Sequence, residues 1–335
     1  MAKSVRMADI AQRLGVSVVT VSKALRGKDG VSDALREQIV RTANELGYSA
    51  KPSAEAISAG SYTIGILTPG RYLERGSSFY WSLYERLLTH ISAQGDFCLL
   101  EVVTDEEEST PSLPRLLQEN KVDGLIIMGG FADQYLRMLF AQQRPVVMLD
   151  AYQAWFPCDT VISDGYYGMY TMTSYLISRG HRRLKYVGTV GETSSITDRY
   201  LGFCRALMEA GLPITAGSSI PDRVSGSIVD THLPSDIALT TDALVCNCDI
   251  TAYDVCTKLD AIGVRVPEDI SVIGFDNYIL SEMSATKITT YEVDQNAMAK
   301  ASARQIRRRI GDPRAERKLQ IISGRMILRE SVAAR

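Results

Sequence analysis

The chain has 335 residues, 45% hydrophobic and 23% charged, with a net charge of −2. That length exceeds what one ordinary domain needs, and the balance excludes wholesale disorder and fibrous repeats. No window holds the roughly 18 consecutive apolar residues of a membrane span, and the start turns polar and helix-patterned at once instead of offering a secretory leader, so a cytoplasmic protein without a membrane partner is expected.

Met7, Ile10, Ala11 and Leu14 recur at helical spacing, and Gly15 suits the left-handed position that ends such a helix. Ser17 can cap a second helix with Val21, Ala24 and Leu25 inward. Ser32 caps a third, with Leu35, Ile39, Ala43 and Leu46 inward and Gly47 at its close. Two short helices joined by the tight turn Gly15-Val16-Ser17 and braced by a third fit a helix-turn-helix, although any small helical bundle fits the pattern equally well. The outer face of the second helix tips the balance. Ser17, Thr20, Ser22, Lys23 and Arg26 offer hydroxyls and cations suited to phosphate oxygens and guanine edges. Charge points the same way, since residues 1–60 hold nine Lys/Arg against six Asp/Glu while the remainder carries −5.

Residues 51–60 read as a very short helix, with Pro52 at its first position and Gly60 just past its last; so short a helix forms only when docked, and a flexible linker is the alternative. From Tyr62 onward apolar runs alternate with amphipathic stretches. Strands are predicted at 63–68, 97–103, 124–128, 145–149, 184–188, 243–246 and 271–274, with helices such as 80–93 and 165–179 between them. This βαβ rhythm predicts parallel sheets in two doubly wound lobes. The acidic run Asp105-Glu106-Glu107-Glu108 reads as a solvated loop.

Enzyme signatures are absent: no G-x-G-x-x-G after the first strand, no G-x-x-x-x-G-K-[ST] and no G-x-S-x-G. His181 follows a helix end, where a capping imidazole is expected before a general base. Six scattered cysteines and three histidines show no ligand spacing, so neither a disulfide framework nor a metal or other cofactor is expected. Polar residues do cluster at strand ends, where open parallel sheets place ligands: Asp150 ends PVVMLD, Asp249 follows ALVCNC and Asp276 ends SVIGFD. Carboxylates there can accept paired hydrogen bonds from hydroxyls. Phe79, Tyr80 and Trp81 either stack on a sugar or simply cover the start of their helix.

With those residues in view, the chain resembles the lactose-repressor family of bacterial transcription regulators. The likeness runs through Arg6 to Ala11, Gly15 to Leu25, Val31-Ser32 and Glu45 to Tyr48, then Ile64-Gly65-Ile66, Val122 to Ile126, Gly180 to Arg183, Asp198 to Phe203, Val266 to Asp276 and Leu328 to Ser331. It implies an α/β fold with a helix-turn-helix head at 1–50, a hinge at 51–61 and a two-lobed body at 62–335 similar to periplasmic sugar-binding proteins. Chain crossings near 161, 290 and 322 would give lobe 1 residues 62–161 and 291–322, and lobe 2 residues 162–290 and 323–335. It further implies a homodimer on palindromic double-stranded DNA and a small sugar-like effector between the lobes. Ser17, Val18, Val19, Thr20, Ser22, Lys23, Arg26 and the hinge residue Ile57 would meet DNA. Arg199 and Asp276 would grip the effector with Tyr80 stacking, and Asp150, Asp164 and Cys248 would lie near it.

Departures from the family pattern sharpen these expectations. Lys23 stands where arginine is usual, a point donor in place of a fork. Glu55 occupies the usual hinge arginine, the hinge proline has moved to Pro52, and Cys248 replaces a common asparagine. The chain offers no terminal heptad zipper, which leaves a dimer as the expected assembly. The rival readings are an enzyme acting on a small carbohydrate and a secreted sugar-binding protein; the first lacks its motifs and the second lacks a leader.

Overall fold

The computed structural model describes residues 7–25, 32–45, 61–73, 79–223 and 229–335, and the chain divides into two units at the junction of Ser61 and Tyr62. In the first unit the helical periodicity becomes α1 (Met7–Leu14), α2 (Val18–Leu25) and α3 (Asp33–Glu45). Ile10, Ala11, Val21, Ala24, Ile39 and Ala43 from all three form its buried core. Gly15 takes φ +67°, a left-handed turn that lets Val16 N–H donate back to Ala11 O at 3.1 Å. Thr20 N–H donates to Ser17 Oγ at 3.0 Å, so Ser17 caps α2 as its position predicts. Arg26, Leu46, Gly47 and the hinge residues Pro52, Glu55 and Ile57 lie outside the described residues.

The second unit carries twelve strands among its described residues: β1 (Thr63–Pro69), β2 (Phe97–Val103), β3 (Gly124–Met128), β4 (Val146–Leu149), β5 (Asp159–Ser163), β6 (Leu184–Val187), β7 (Ser219–Ile220), β8 (Ala243–Cys246), β9 (Ser271–Ile273), β10 (Thr290–Glu292), β11 (Leu319–Ile322) and β12 (Arg325–Ile327). Lobe 1 is a parallel six-stranded sheet in the order β11-β5-β4-β3-β1-β2, and lobe 2 a parallel four-stranded sheet in the order β7-β6-β8-β9. β10 and β12 pair antiparallel beside the crossings. The chain therefore leaves lobe 1 after Ser163, returns after Glu292 and departs again after Ile322. β3, β4 and β8 are buried throughout, the expected state of parallel strands covered on both faces.

Two helices of lobe 2, Gly165–Ser178 and Ser194–Glu209, approach so closely that a Cβ on Gly202 would lie 2.1 Å from Tyr166 O. Only glycine fits a helix face at that distance. Gly202→Ala should force the helices apart and destabilise the protein by about 3 kcal/mol; a urea denaturation midpoint equal to that of the unchanged protein would refute the close-packing account.

One expectation needs correction. Residues Asp105 to Glu108 are not a solvated loop but the body of a short helix, Asp105–Ser109, whose start is secured by a capping box from Thr104 and Glu107. Glu108 is buried there, pairs with Arg71 and accepts from Ala132 N–H at 2.5 Å. His181 does cap a helix end: its Nδ1 lies 3.0 Å from Leu176 O and its Nε2 2.9 Å from Ser271 Oγ.

Candidate functional site

On α2 the side chains turned from the core are apolar as well as polar. Val18 and Val19 are 47% and 65% exposed, an unusual placement for two β-branched residues on a small domain, and Lys23 is exposed beside them. Methyl groups and a cation on one accessible helix face suit thymine methyls and guanine acceptors in a major groove. Ser17 and Thr20 sit at the helix start with their hydroxyl oxygens 2.9 Å apart. The side chain of Ser22, together with Arg26 and Ile57, falls outside what the structure describes.

In the body, a cavity of about 800 Å³ opens between the lobes, within the range that holds small-molecule ligands. Lobe 1 supplies Arg71, Tyr72, Tyr80 and Asp150 to its wall, and lobe 2 supplies Thr193, Thr197 and Arg223. Asp150 follows β4 and Asp276 follows β9, both with positive φ, 61° and 104°. Backbone held this way in a non-glycine residue is strained, and such strain gathers at binding sites. Tyr80 O–H donates to Asp150 Oδ2 at 2.9 Å, and its ring stacks on Tyr72 with centroids 4.5 Å apart. Arg199 lies deeper, 5% exposed. Its Nη2 donates to Asp276 Oδ1 at 3.0 Å and its Nη1 to Asn247 O at 2.6 Å, while the guanidinium lies 4.0 Å over the Phe275 ring and Nε has no partner.

The electrostatics tie these groups into one cluster. Burial lifts Asp276 to about 6, with Arg199 pulling down and Asp150 pushing up; burial also raises Asp150 against the pull of Arg199 and the Tyr80 hydrogen bond. Tyr80, Asp150, Arg199 and Asp276 are thus brought together. Cys248 joins their edge, with Sγ 3.3 Å from Thr251 Oγ1 and its thiol pushed up to about 11 by burial. Asp164 does not join them. It caps the helix Gly165–Ser178 by accepting from Tyr167 N–H at 3.0 Å. Arg199, Asp276 and Cys248 are, like it, absent from the cavity wall, and Asp276 instead lines a second cavity of about 620 Å³ with Asn277, Tyr278 and Arg325. Asp249 is likewise turned away, accepting from Thr290 Oγ1 at 2.6 Å and Tyr278 N–H at 2.7 Å.

Four wall or support residues escape a reading of the sequence. Arg71 is fixed by Glu108 and by Asp105 at 3.2 Å, and donates to Gly130 O at 2.9 Å. Thr193 caps the helix that bears Arg199. Asp222, fully buried, accepts from Thr189, Asn247 and Thr251 and holds Arg223 at 2.8 Å toward the cavity. Burial alone would raise that carboxyl, but Arg223 and the hydrogen bonds outweigh it and hold it at about 2. Among the described residues no group of three His, Cys, Asp or Glu side chains could hold a metal ion, and no helix is long and apolar enough to cross a membrane.

Residues 6–51 match the bacterial regulatory proteins of the lacI family, and residues 173–332 match the periplasmic binding protein-like domain. The HTH-type transcriptional regulator DegA of Bacillus subtilis (strain 168) is 30% identical over 297 residues, 84% of each chain. The chain belongs to the lacI family of bacterial regulatory proteins. Like its relatives it is a transcription regulator, with a helix-turn-helix unit and a two-lobed periplasmic-binding-protein-like body. Its fold is that of the lac repressor dimer bound to operator and the anti-inducer ONPF, at a TM-score of 0.76 and 20% identity over 99% of this chain and 100% of that one. It is also that of the transcriptional regulator CelR in complex with cellobiose, at 0.70 and 22% over 98% and 99%.

Proposed function

We propose that this lacI-family chain is a cytoplasmic repressor, not an enzyme, which binds a palindromic operator as a homodimer and is controlled by a sugar-like effector in the interlobe cavity. The cavity wall and the pair buried behind it carry the reading: stacked Tyr72 and Tyr80 and the acceptor Asp150 line the cavity, and the Arg199–Asp276 pair lies beyond its wall, together one apolar face and several fixed polar groups, the chemistry that orients a polyhydroxyl ring. Val18, Val19 and Lys23 read bases, and Ser17, Thr20 and Ser22 lie near phosphates, with Arg26 and Ile57 as further contacts in the resemblance. Arg199, Asp276, Tyr80 and Asp150 hold the effector, with Cys248 beside them; the capping role of Asp164 makes it a support.

A gel shift of genomic fragments with and without neutral sugars, cellobiose included, tests the class. Sequence-selective binding that a sugar alters is expected, and binding without selectivity would sink the reading. Lys23→Ala should weaken cognate binding by about 1–3 kcal/mol and relax preference at one base pair; equal weakening on every sequence would make Lys23 a phosphate contact.

A second copy finds a surface ready. β2 ends the lobe 1 sheet with Phe97 and Leu99 exposed, and the neighbouring helix Phe79–Ala93 exposes Trp81 and Leu88. An edge strand with so much apolar surface is a natural place for a two-fold contact. Sedimentation should therefore give about twice 36.9 kDa, and Phe97→Asp should shift it toward the monomer; a stable tetramer, or a dimer indifferent to that change, would contradict the assignment.

A further inference from the structure

Positive charge in this chain is concentrated in two places. Residues 1–60 carry +3, and residues 300–318 hold eight Lys/Arg against two Asp/Glu, a surplus of +6, so everything else in a chain of net −2 carries −11. The second concentration begins on the helix Gln295–Gly311 and continues through the turn into β11. Its position in the fold is specific. β1, β5 and β11 run parallel, so Tyr62, Asp159 and Lys318 lie on one edge of the lobe 1 sheet, the edge at which the body begins. The Arg307 guanidinium lies 5.3 Å from the centre of the Tyr62 ring, which fixes the helix end to that same edge.

Of the acids on this edge Asp96 and Asp159 are turned inward, while Asp123, Asp312 and Glu316 stay exposed and are outnumbered by the cations. Asp96, buried, accepts from Tyr62 N–H at 2.9 Å and from Arg307 at 2.5 Å. Asp159, fully buried, accepts from Arg308 at 2.6 Å, Arg309 at 2.7 Å and Lys318 N–H at 2.9 Å. Arg304, Arg314, Arg317 and Lys318 remain exposed, and among the described residues none of their side chains is in an ion pair. The opposite edge of the same sheet bears Asp105, Glu106, Glu107, Asp133 and Asp150. Lobe 1 thus presents cations at the end where the chain arrives from the DNA-reading unit and carboxylates at the end that faces the effector cavity.

We propose that this basic edge is a second DNA-binding surface, on which Arg304, Arg314, Arg317 and Lys318 meet backbone phosphates independently of base sequence. The proposal rests on the reading that the chain binds DNA. A polyanion with closely spaced phosphates complements a row of unpaired guanidinium and ammonium groups. Salt screens exposed charges within about 8 Å at physiological strength, so the row acts at close range only. Such pairing adds affinity without adding base preference, leaving discrimination to α2.

The experiment is a salt titration of full-length protein on a duplex of arbitrary sequence, between about 50 and 200 mM. Each neutralised phosphate releases counterions and steepens the plot of log affinity against log salt by about 0.9. The variant R304A/R314A/R317A/K318A should flatten that slope by about 0.9 for each phosphate it no longer neutralises, while R304K/R314K/R317K, which keeps the charges, should retain it. A control that removes four exposed cations from lobe 2, Arg179, Arg183, Arg265 and Lys287 to Ala, should leave the slope unchanged. An unchanged slope in the first variant overturns the proposal, and so does an equal flattening in the lobe 2 control, which would mark a net-charge effect. If the unaltered full-length chain binds no duplex, it is the DNA-binding reading itself that fails.

Discussion

Replacing Asp222 by alanine should destabilise the protein by about 3–5 kcal/mol, because the carboxylate is the shared acceptor of a buried network and its loss strands charged and polar donors together. Arg223 would keep its charge with only 12% of its side chain exposed and no counter-ion. Thr251 Oγ1, which reaches Asp222 at 2.8 Å, would lose that acceptor, and Asn247 Nδ2, which reaches it at 2.6 Å, would keep only Val187 O and Thr251 Oγ1, each at 3.1 Å. The damage should extend to the cavity, since the carbonyl of the same Asn247 receives Arg199. Denaturant titration near neutral pH measures the loss, and one below about 1 kcal/mol would show that the network contributes little. The pH dependence has a definite sign: this carboxyl is held at about 2, below its ordinary 3.8, so its contribution is complete above about pH 4 and disappears as pH falls toward 2. Asp222→Ala should abolish that part of the acid sensitivity.

What the sequence reveals and what it hides follow from how local each interaction is. β3 and β8 coincide with predicted apolar runs because their side chains are covered on both faces, and β2 because its run is apolar apart from Glu101 even though it ends the sheet with Phe97 and Leu99 exposed. β5 is missed because Asp159 and Ser163 frame only Thr160, Val161 and Ile162, and its polar first residue is in place for Arg308 and Arg309, 149 and 150 positions away. β11 is missed for another reason: it ends its sheet, so Leu319 and Ile321 are exposed and no hydrophobic period marks it. Glu108 looks solvated among its acidic neighbours because Arg71, the partner that buries it, is 37 residues earlier. In the site, Asp150 and Asp276 are legible as strand-end carboxylates, and Arg199 only through the family resemblance. Arg71, Asp222 and Arg223 carry no local signal, since pairing across separate segments gives each its position.

Raising the pH from about 4 to about 8 should weaken the fold, with two other carboxylates dividing the loss. Burial lifts Asp276 to about 6, and burial together with the Asp276 charge lifts Asp249 to about 8, both above the ordinary 3.8. The folded chain therefore holds protons that the unfolded chain has released, and its stability falls as pH rises through these intervals. A tenfold bias in proton affinity corresponds to about 1.4 kcal/mol, so Asp276 accounts for roughly 3 kcal/mol and Asp249 for more. Asp276→Asn should reduce the slope between about pH 4 and 6, where both groups contribute, and Asp249→Asn should reduce it there and remove the part that continues toward pH 8. Denaturation midpoints across the series separate the two, and a curve unaltered by either substitution would show that burial does not govern these groups. The slope is the informative quantity, because Asp276→Asn also leaves Arg199 without its counter-charge and lowers stability at every pH. On the proposal that Asp276 holds the effector, the same proton has the opposite consequence: hydroxyls that donate to an ionised Asp276 favour the charged form, so effector affinity should rise with pH up to about 6 and binding below that point should release a proton to the buffer. Calorimetry in two buffers of different ionisation enthalpy reads that release, and it should vanish in Asp276→Asn.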